Sequence, residues 1–541
     1  MIELASISLV FFAFATFGLK RLLTYIHVLQ QDDYENSRLM KWVMGNAAFD
    51  KRTSLVLLIL GGAAFYVDPF FINFLIFICF VAFAYRERDP RKNSKKKLVS
   101  TARVKRIFWP SILVITALGL PGIYFQHPWA WIIIVQLILP SILFINLMLS
   151  PIELTIQKKF WNEASNKMNQ LQPTVIAITG SFGKTSVKHI LGHILKMQAP
   201  TLITPGSVNT PMGITRIIRE NLTEDHKYFI VEMGAYGPGS IKRLCALTPP
   251  NTGVITAIGH AHYERFKSLE RVAEAKYELA EAVLEKDGKV IVHERTLRFE
   301  HSREVKFKNE HQFIVCGEPP EIDPEKRHGK SYLEPADVHI QTINQHKGGI
   351  EVRLSWKGTT HVIDAPLYGL HHGHNLAMAF VTAPSLGVEP PAIHAALQKM
   401  PQIQHRLEVK KRADGTTLID DAYNSNPIGF GSALELLGQL KNPGRAILIT
   451  PGMVEMGKAH DEAHEKIGNY AGETCDIAIV VSPKRIPTFI KGFKATGSSK
   501  KLIEVKTFKE ALQWVDKNKE PDDVILIEND LPDMYEAVPK M

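Results

Sequence analysis

"VIAITGSFGKTSVKHIL", residues 175–191, decides how this 541-residue chain is read. Val175–Thr179 is a short β-branched and apolar run, Gly180-Ser181-Phe182-Gly183 bends it, and Lys184-Thr185-Ser186 leads into a helical pattern. Strand, glycine-bearing turn and helix start are the parts of a phosphate cradle. Glycines let backbone N–H groups approach phosphate oxygens, the helix N-terminus favours negative charge, the lysine reaches terminal phosphates and the hydroxyl can hold Mg2+. The strict G-x-x-x-x-G-K-[ST] pattern is not met, because Ile178 stands at its first glycine position.

From Pro173 onward, short apolar strands alternate with amphipathic helices, which predicts an α/β fold on an open parallel sheet. In such sheets ligands gather beyond the carboxyl ends of the strands. The run Tyr228–Val231 ends at Glu232, and Gly253–Ile258 ends at Gly259-His260-Ala261-His262. A carboxylate and an imidazole arriving at the edge that carries the cradle could complete a divalent-metal shell around a nucleotide. Taken singly, each is more often an ordinary loop residue. In the helix expected over Leu269–Glu285, Leu269, Val272, Ala273, Lys276, Leu279, Ala280 and Val283 share one face. Lys276 therefore stands in the middle of an apolar stripe. Either its stem lies along the stripe and its amine snorkels out, or the amine is held in a dry site that depresses its pKa. Periodicity alone favours snorkelling.

The first 150 residues read differently. Apolar runs cover about 4–23, 54–67, 70–85, 109–125 and 129–149, and they predict a membrane region of about five helices. Several are shorter than the ~20 residues of a spanning helix, so the second and third are either short tilted spans or one re-entrant hairpin. The formal net charge is +9, and the stretch Arg86–Arg106 holds ten basic and two acidic residues. Charge confined to one loop between apolar segments argues for a membrane flank and against a nucleic-acid partner. With five spans, both basic loops and everything after Pro151 lie on the cytoplasmic side of the inner membrane. The first apolar run lacks a small-residue cleavage site, so it reads as an anchor. Cys79, Cys245, Cys316 and Cys475 show neither disulfide nor zinc spacing.

Taken together, "ITGSFGKTS" (178–186), "VNTPMGI" (208–214), "VEMGAYGPG" (231–239), "GHAHYERFKS" (259–268), "EAKYELAE" (274–281), "GLHHGHNLAMA" (369–379), "DDAYNSNP" (420–427) and "PGMVEMG" (451–457) resemble the Mur ligase family, closest to its D-alanyl-D-alanine-adding branch. These pieces follow the family's order. The resemblance implies ATP and Mg2+ as cofactors and a domain plan of membrane region 1–150, linker 151–172, central ATP-binding domain 173–403 and C-terminal dinucleotide-fold-like domain 404–541. It also implies residue roles. Gly180, Ser181, Gly183, Lys184, Thr185 and Ser186 would cradle the phosphates, with Lys184 on the β and γ groups. Thr185 and Glu232 would hold the nucleotide magnesium, and His262 and a carbamylated Lys276 a second one. His371 and Asn375 would lie on the adenine side, Arg406 would reach the phosphates and Asp421 the ribose. Asn209, Thr210, Tyr423 and Asn424 would meet the substrates.

The implied activity is ATP-dependent amide formation through an acyl phosphate, adding an amino acid or a dipeptide to a cell-wall precursor, lipid-linked or soluble. Two departures bear on the substrates. The membrane segment stands where the family carries a domain for the uridine nucleotide sugar, and Glu528-Asn529-Asp530 stands where the branch tends to carry Lys-Gly-Ser. Gly452 likewise replaces an aspartate. Two other readings remain at this stage: a ligase for a poly-amino-acid or another envelope amide, and a membrane scaffold that binds ATP without chemistry.

Overall fold

The computed structural model describes residues 2–45, 51–63, 66, 69–87, 89–91, 97–124, 130–259, 266, 268–318, 336–423, 425–441, 443–454, 456–497 and 500–530. Two compact units emerge, one built from residues up to Gln157 and the other from Lys158–Asp530.

In the first unit the apolar runs are helical: Ile2–Gln31, Asn36–Gly45, Lys51–Ala63, Pro69–Arg86, Ala102–Tyr124, and a 42-residue helix Ala130–Leu171 that continues into the second unit. Among the described residues three helical stretches are long and apolar enough to cross a membrane: Ser6–Gln31, Ala102–Pro121 and Ile133–Leu171. Phe70–Arg86 is a shorter apolar helix, and the run expected from residue 54 forms a 13-residue helix. These two are the segments that allowed a re-entrant hairpin. Residues 151–171, expected as a linker, prolong the last helix. Phe14, Phe17, Phe80 and Trp131 pack inside the bundle, while Phe12, Leu113, Phe144 and Leu147 face outward. Arg21 makes a two-pronged ion pair with Glu87 (3.0 and 2.9 Å), and Arg106 with Glu153 (2.6 and 3.0 Å).

In the second unit nine strands form one sheet: β1 (Thr174–Thr179), β2 (Thr201–Ile203), β3 (Tyr228–Glu232), β4 (Thr252–Ile255), β5 (Lys289–His293), β6 (Phe313–Gly317), β7 (Val338–His346), β8 (Gly349–Trp356) and β9 (Thr359–Ala365). Their order is β2-β3-β1-β4-β5-β6-β7-β8-β9. Pairing is parallel up to β7, and β7, β8 and β9 form an antiparallel meander that local patterning did not announce. The central strand β1 is apolar on both sides because helices cover both faces. Ile176 and Ile178 pack with Val187, Ile190 and Leu191 on one face, while Val175 and Ala177 pack with Ile214, Ile217 and Leu244 on the other.

A six-stranded sheet follows, with β10 (Glu408–Lys411), β11 (Thr417–Asp421), β12 (Ala446–Thr450), β13 (Ile477–Val481), β14 (Lys501–Val505) and β15 (Val524–Glu528) in the order β10-β11-β15-β12-β13-β14. All its pairs are parallel except β10 with β11. The four cysteines are unpaired.

Ile178 is fully enclosed in β1, one residue before the strand ends. Its place in the motif is thus a core position, and Ile178→Ala should cost about 2–5 kcal/mol of unfolding free energy. A denaturant-unfolding loss below about 1 kcal/mol would show that this strand is not packed as described.

Candidate functional site

The turn after β1 is shaped by close approach. Gly180 has φ +152°, and a Cβ there would lie 1.9 Å from the Thr256 hydroxyl oxygen. Gly183 has φ +83°, and a Cβ there would come within 2.6 Å of the Asn375 side-chain oxygen. Only glycine fits either position without displacing a neighbour. The turn is tied to the segment after β4: the Ser181 N–H donates to the Ala257 carbonyl (2.6 Å), and the Ser181 hydroxyl donates to the Gly259 carbonyl while accepting the Gly259 N–H (both 3.0 Å). The Thr256 hydroxyl donates to the Phe182 carbonyl. This lacing explains why β4 ends at Ile255, short of the expected Ile258. The backbone beyond it pairs with the turn instead of a neighbouring strand.

The helix Lys184–Lys196 starts directly from the turn, with Ser186 buried in its first turns. The Lys184 ammonium curls back to donate to the carbonyls of Gly180 (2.9 Å) and Ser181 (3.3 Å). Burial, opposed by Glu232 and reinforced by Arg406 and Lys188, lowers its pKa.

Glu232, the last residue of β3, is 1% exposed. Its Oε2 accepts from the Thr185 hydroxyl (2.9 Å) and from the Lys188 ammonium (3.1 Å), and its Oε1 accepts from the Asn209 amide (3.1 Å). Its backbone N–H donates to the Thr204 hydroxyl (3.1 Å). Burial works against this carboxylate, but Lys188, Lys184 and the Asn209 bond outweigh it and hold its pKa below the usual range. Lys188 was not singled out from the sequence. The available signal was its spacing, four residues beyond Lys184 and so on the same helix face.

Lys276 does not snorkel. It is 4% exposed in the helix Leu269–Leu284, because the helix packs both against the sheet and against neighbouring helices. Its amine has no hydrogen-bond or ion-pair partner among the described residues. Burial, reinforced by the charge of Lys184, holds its pKa well below the ordinary lysine value. His262 and Asn424 lie outside the described residues.

Arg406 sits in a turn whose flanking residues, His405 and Leu407, both have positive φ (57° and 50°). Its guanidinium lies 4.6 Å from the centre of the half-exposed Tyr423 ring, and its charge acts on Lys184, His371 and Asp421. Asp421 accepts the Leu407 N–H (3.3 Å) and is the parallel-register partner of Glu528. The Glu528 Oε1 accepts the Ser425 hydroxyl (2.5 Å), and its Oε2 is buried with no donor among the described residues. Burial pushes both carboxyls up, and the Asp421 charge pushes Glu528 further. Burial also lowers His371 to about 4, leaving a neutral ring whose Nδ1 has no described partner. Asn375 is buried against Gly183. The Thr210 hydroxyl caps the helix Pro211–Asn221 by accepting the Gly213 N–H (3.3 Å).

The structure thus brings Lys184, Thr185, Glu232 and Asn209 together at the carboxyl edge of the first sheet, with the charges of Arg406 and Lys184 acting on one another and that of Lys184 reaching Lys276. The two glycines let the turn pack directly against Thr256, Ala257 and Asn375, leaving its backbone free of side chains of its own, as a polyphosphate cradle requires. The Thr185 hydroxyl and the Glu232 carboxylate are hard oxygen donors that fit magnesium.

Residues 178–383 match the Mur ligase middle domain, and residues 405–528 match the glutamate ligase domain of Mur ligases. A UDP-N-acetylmuramoyl-tripeptide--D-alanyl-D-alanine ligase of Buchnera aphidicola is 30% identical over 301 residues, covering 56% of this chain and 61% of that protein. The enzyme of that name from Mycobacterium tuberculosis is 30% identical over 310 residues, covering 55% and 56%. This chain therefore spans about three fifths of the length of these relatives. The crystal structure of MurF from Acinetobacter baumannii superposes with a TM-score of 0.56 at 24% identity, over 69% of this chain and 77% of that one. MurF from Thermotoga maritima, solved in complex with ADP, gives a TM-score of 0.55 at 22% identity, over 69% and 80%.

The lowered pKa of Lys276 has a sign that can be measured. Between its folded value and 10.5 the unfolded chain binds a proton that the folded chain does not, so stability rises with pH across that window. In carbon-dioxide-free buffer, Lys276→Met should remove this slope and raise stability at neutral pH. Parallel stability–pH curves for the two proteins would show that the amine is not held in a dry site.

Proposed function

The chain belongs to the Mur ligase family by its middle and C-terminal domains, and from that premise we propose that it is an ATP-dependent ligase. It joins a substrate carboxylate to an amine and extends a cell-wall precursor by an amino acid or a D-alanyl-D-alanine-like dipeptide. The observation that carries this reading is the convergence at one sheet edge of Lys184, the Thr185–Glu232 pair and the buried Lys276, with Arg406 contributed from the following domain. A scaffold that only holds ATP needs no dry lysine beside its phosphate loop.

The chemistry is a carboxylate attacking the γ-phosphoryl group, after which the amine displaces phosphate from the acyl phosphate. Carboxylate and triphosphate repel one another, so the protein's share is positioning and charge neutralisation. Lys184 bends over the turn where terminal phosphates would lie, and Arg406 faces them from the other side. Thr185 and Glu232 would hold a magnesium ion, which supplies further positive charge between the anionic groups when bound. Lys276, once carbamylated, would become an anionic ligand, and its buried neutral amine is the form that reacts with carbon dioxide. Asp421 receives the ribose, and Asn375 and His371 line the base side.

The three long apolar helices support an integral location in the cytoplasmic membrane. Three spans put the basic loops and the soluble unit on the same side, as five would, because both numbers are odd. Tethering suits a lipid-linked acceptor, since confinement to one surface raises the effective concentration of the reactants.

With full-length protein and Mg-ATP, phosphate release should require both a wall precursor bearing a free carboxylate and the amine, and product mass should rise by one added unit. Lys184→Met should reduce that release by about 10²–10³-fold. ATP binding without substrate-dependent phosphate release would favour the scaffold. Equal use of a soluble uridine-linked precursor by residues 172–541 and of a lipid-linked one by the full chain would remove the tethering argument.

A further inference from the structure

Lys188 is an unusual residue to find beside a metal ligand. Its side chain is completely enclosed, and its ammonium donates to the Glu232 Oε2 (3.1 Å) and to the Gly206 carbonyl. The same Oε2 accepts the Thr185 hydroxyl (2.9 Å), and the Glu232 Oε1 accepts the Asn209 amide (3.1 Å). The carboxylate is therefore already neutralised by a cation that cannot leave, because the lysine stem is packed within the helix Lys184–Lys196.

We propose that Lys188 is a positioning residue that makes metal entry depend on the nucleotide. The inference rests on the reading of Thr185 and Glu232 as magnesium ligands. A fixed ammonium against the carboxylate repels an incoming divalent cation, so the protein alone offers the ion one anionic group whose charge is already cancelled. A nucleotide polyphosphate brings further negative charges into the cradle and tips that balance. The ion is then bound when its partner phosphates are present and excluded when they are not. Asn209 and Thr185 fix the orientation of the carboxylate but carry no charge, so of the three groups bonded to it only Lys188 opposes a cation, with the charge of Lys184 adding to it.

The test uses manganese as the probe, with free Mn2+ followed by its electron paramagnetic resonance signal, on the full-length chain with and without ADP. Lys188→Met removes donor and charge, whereas Lys188→Gln keeps a donor without charge, and thermal unfolding checks that each variant is folded. The wild type is expected to bind Mn2+ at least tenfold more weakly without ADP than with it. Both variants are expected to bind Mn2+ alone at least tenfold more tightly than the wild type. Folded variants with unchanged or weaker Mn2+ affinity overturn the inference, as does a Gln variant that matches the wild type. Should neither variant fold, equal Mn2+ affinity of the wild type with and without ADP overturns it with no substitution needed. If the wild type binds no Mn2+ even with ADP, the metal reading of Thr185 and Glu232 fails, and the inference falls with it.

Discussion

The organisation of the site depends on keeping one buried carboxylate charged. Glu232 ends β3, an interior strand of a sheet covered on both faces, and is itself buried, where an ionised group is costly unless donors surround it. The donors come from different parts of the chain: Thr185 and Lys188 from the helix after the turn, Asn209 from the loop before the next helix. Together these bonds tie two segments, the helix and the loop, to the end of β3. The carboxylate is thus the knot that fixes the helix Lys184–Lys196 and the loop at Asn209 to the end of β3.

The turn itself is fixed from the opposite side. Ser181 and Thr256 lace it to the chain leaving β4, and the two glycines bring it close enough for that lacing to form. A rigid cradle costs little further ordering when a ligand enters, which is how preorganised donors gain strength. Lys184 currently spends its hydrogen bonds on the carbonyls of the turn. Those carbonyls fold the ammonium back over the turn it follows.

What was legible in the sequence was local. The strand, the bend and the helix start at 175–191 follow from adjacent residues, and Glu232 and Lys276 were marked by where they fall on a strand end and a helix face. The partners were not legible, since Lys188 meets Glu232 across 44 positions and Glu528 meets Asp421 across more than 100. Periodicity assigned Lys276 to a snorkelling amine because it reports one face of one helix, not what packs against the other faces. The meander β7–β9 escaped for a related reason: its burial alternates along one sheet face, a weaker mark than the continuous apolar runs of the parallel strands. The acidic Glu528-Asn529-Asp530 was legible as a departure, but its consequence was not.

That consequence follows from the register of the second sheet. Parallel pairing of β11 with β15 sets Asp421 opposite Glu528, so two carboxyl groups meet in a buried place. Burial and the neighbouring Asp421 charge push the Glu528 carboxyl well up, while the Ser425 hydroxyl donates to its Oε1. Asn529, in the left-handed region at φ 66°, then turns the chain and donates to the Gly452 carbonyl (2.7 Å), linking the ends of β15 and β12. A basic residue at position 528 would neutralise Asp421 directly. With Glu528 there, Arg406 is the cation whose charge offsets Asp421, and the same guanidinium acts on Lys184 in the other domain. Glu528 therefore does more than change a local charge: it leaves Asp421 and Lys184, on different domains, both under the charge of one arginine.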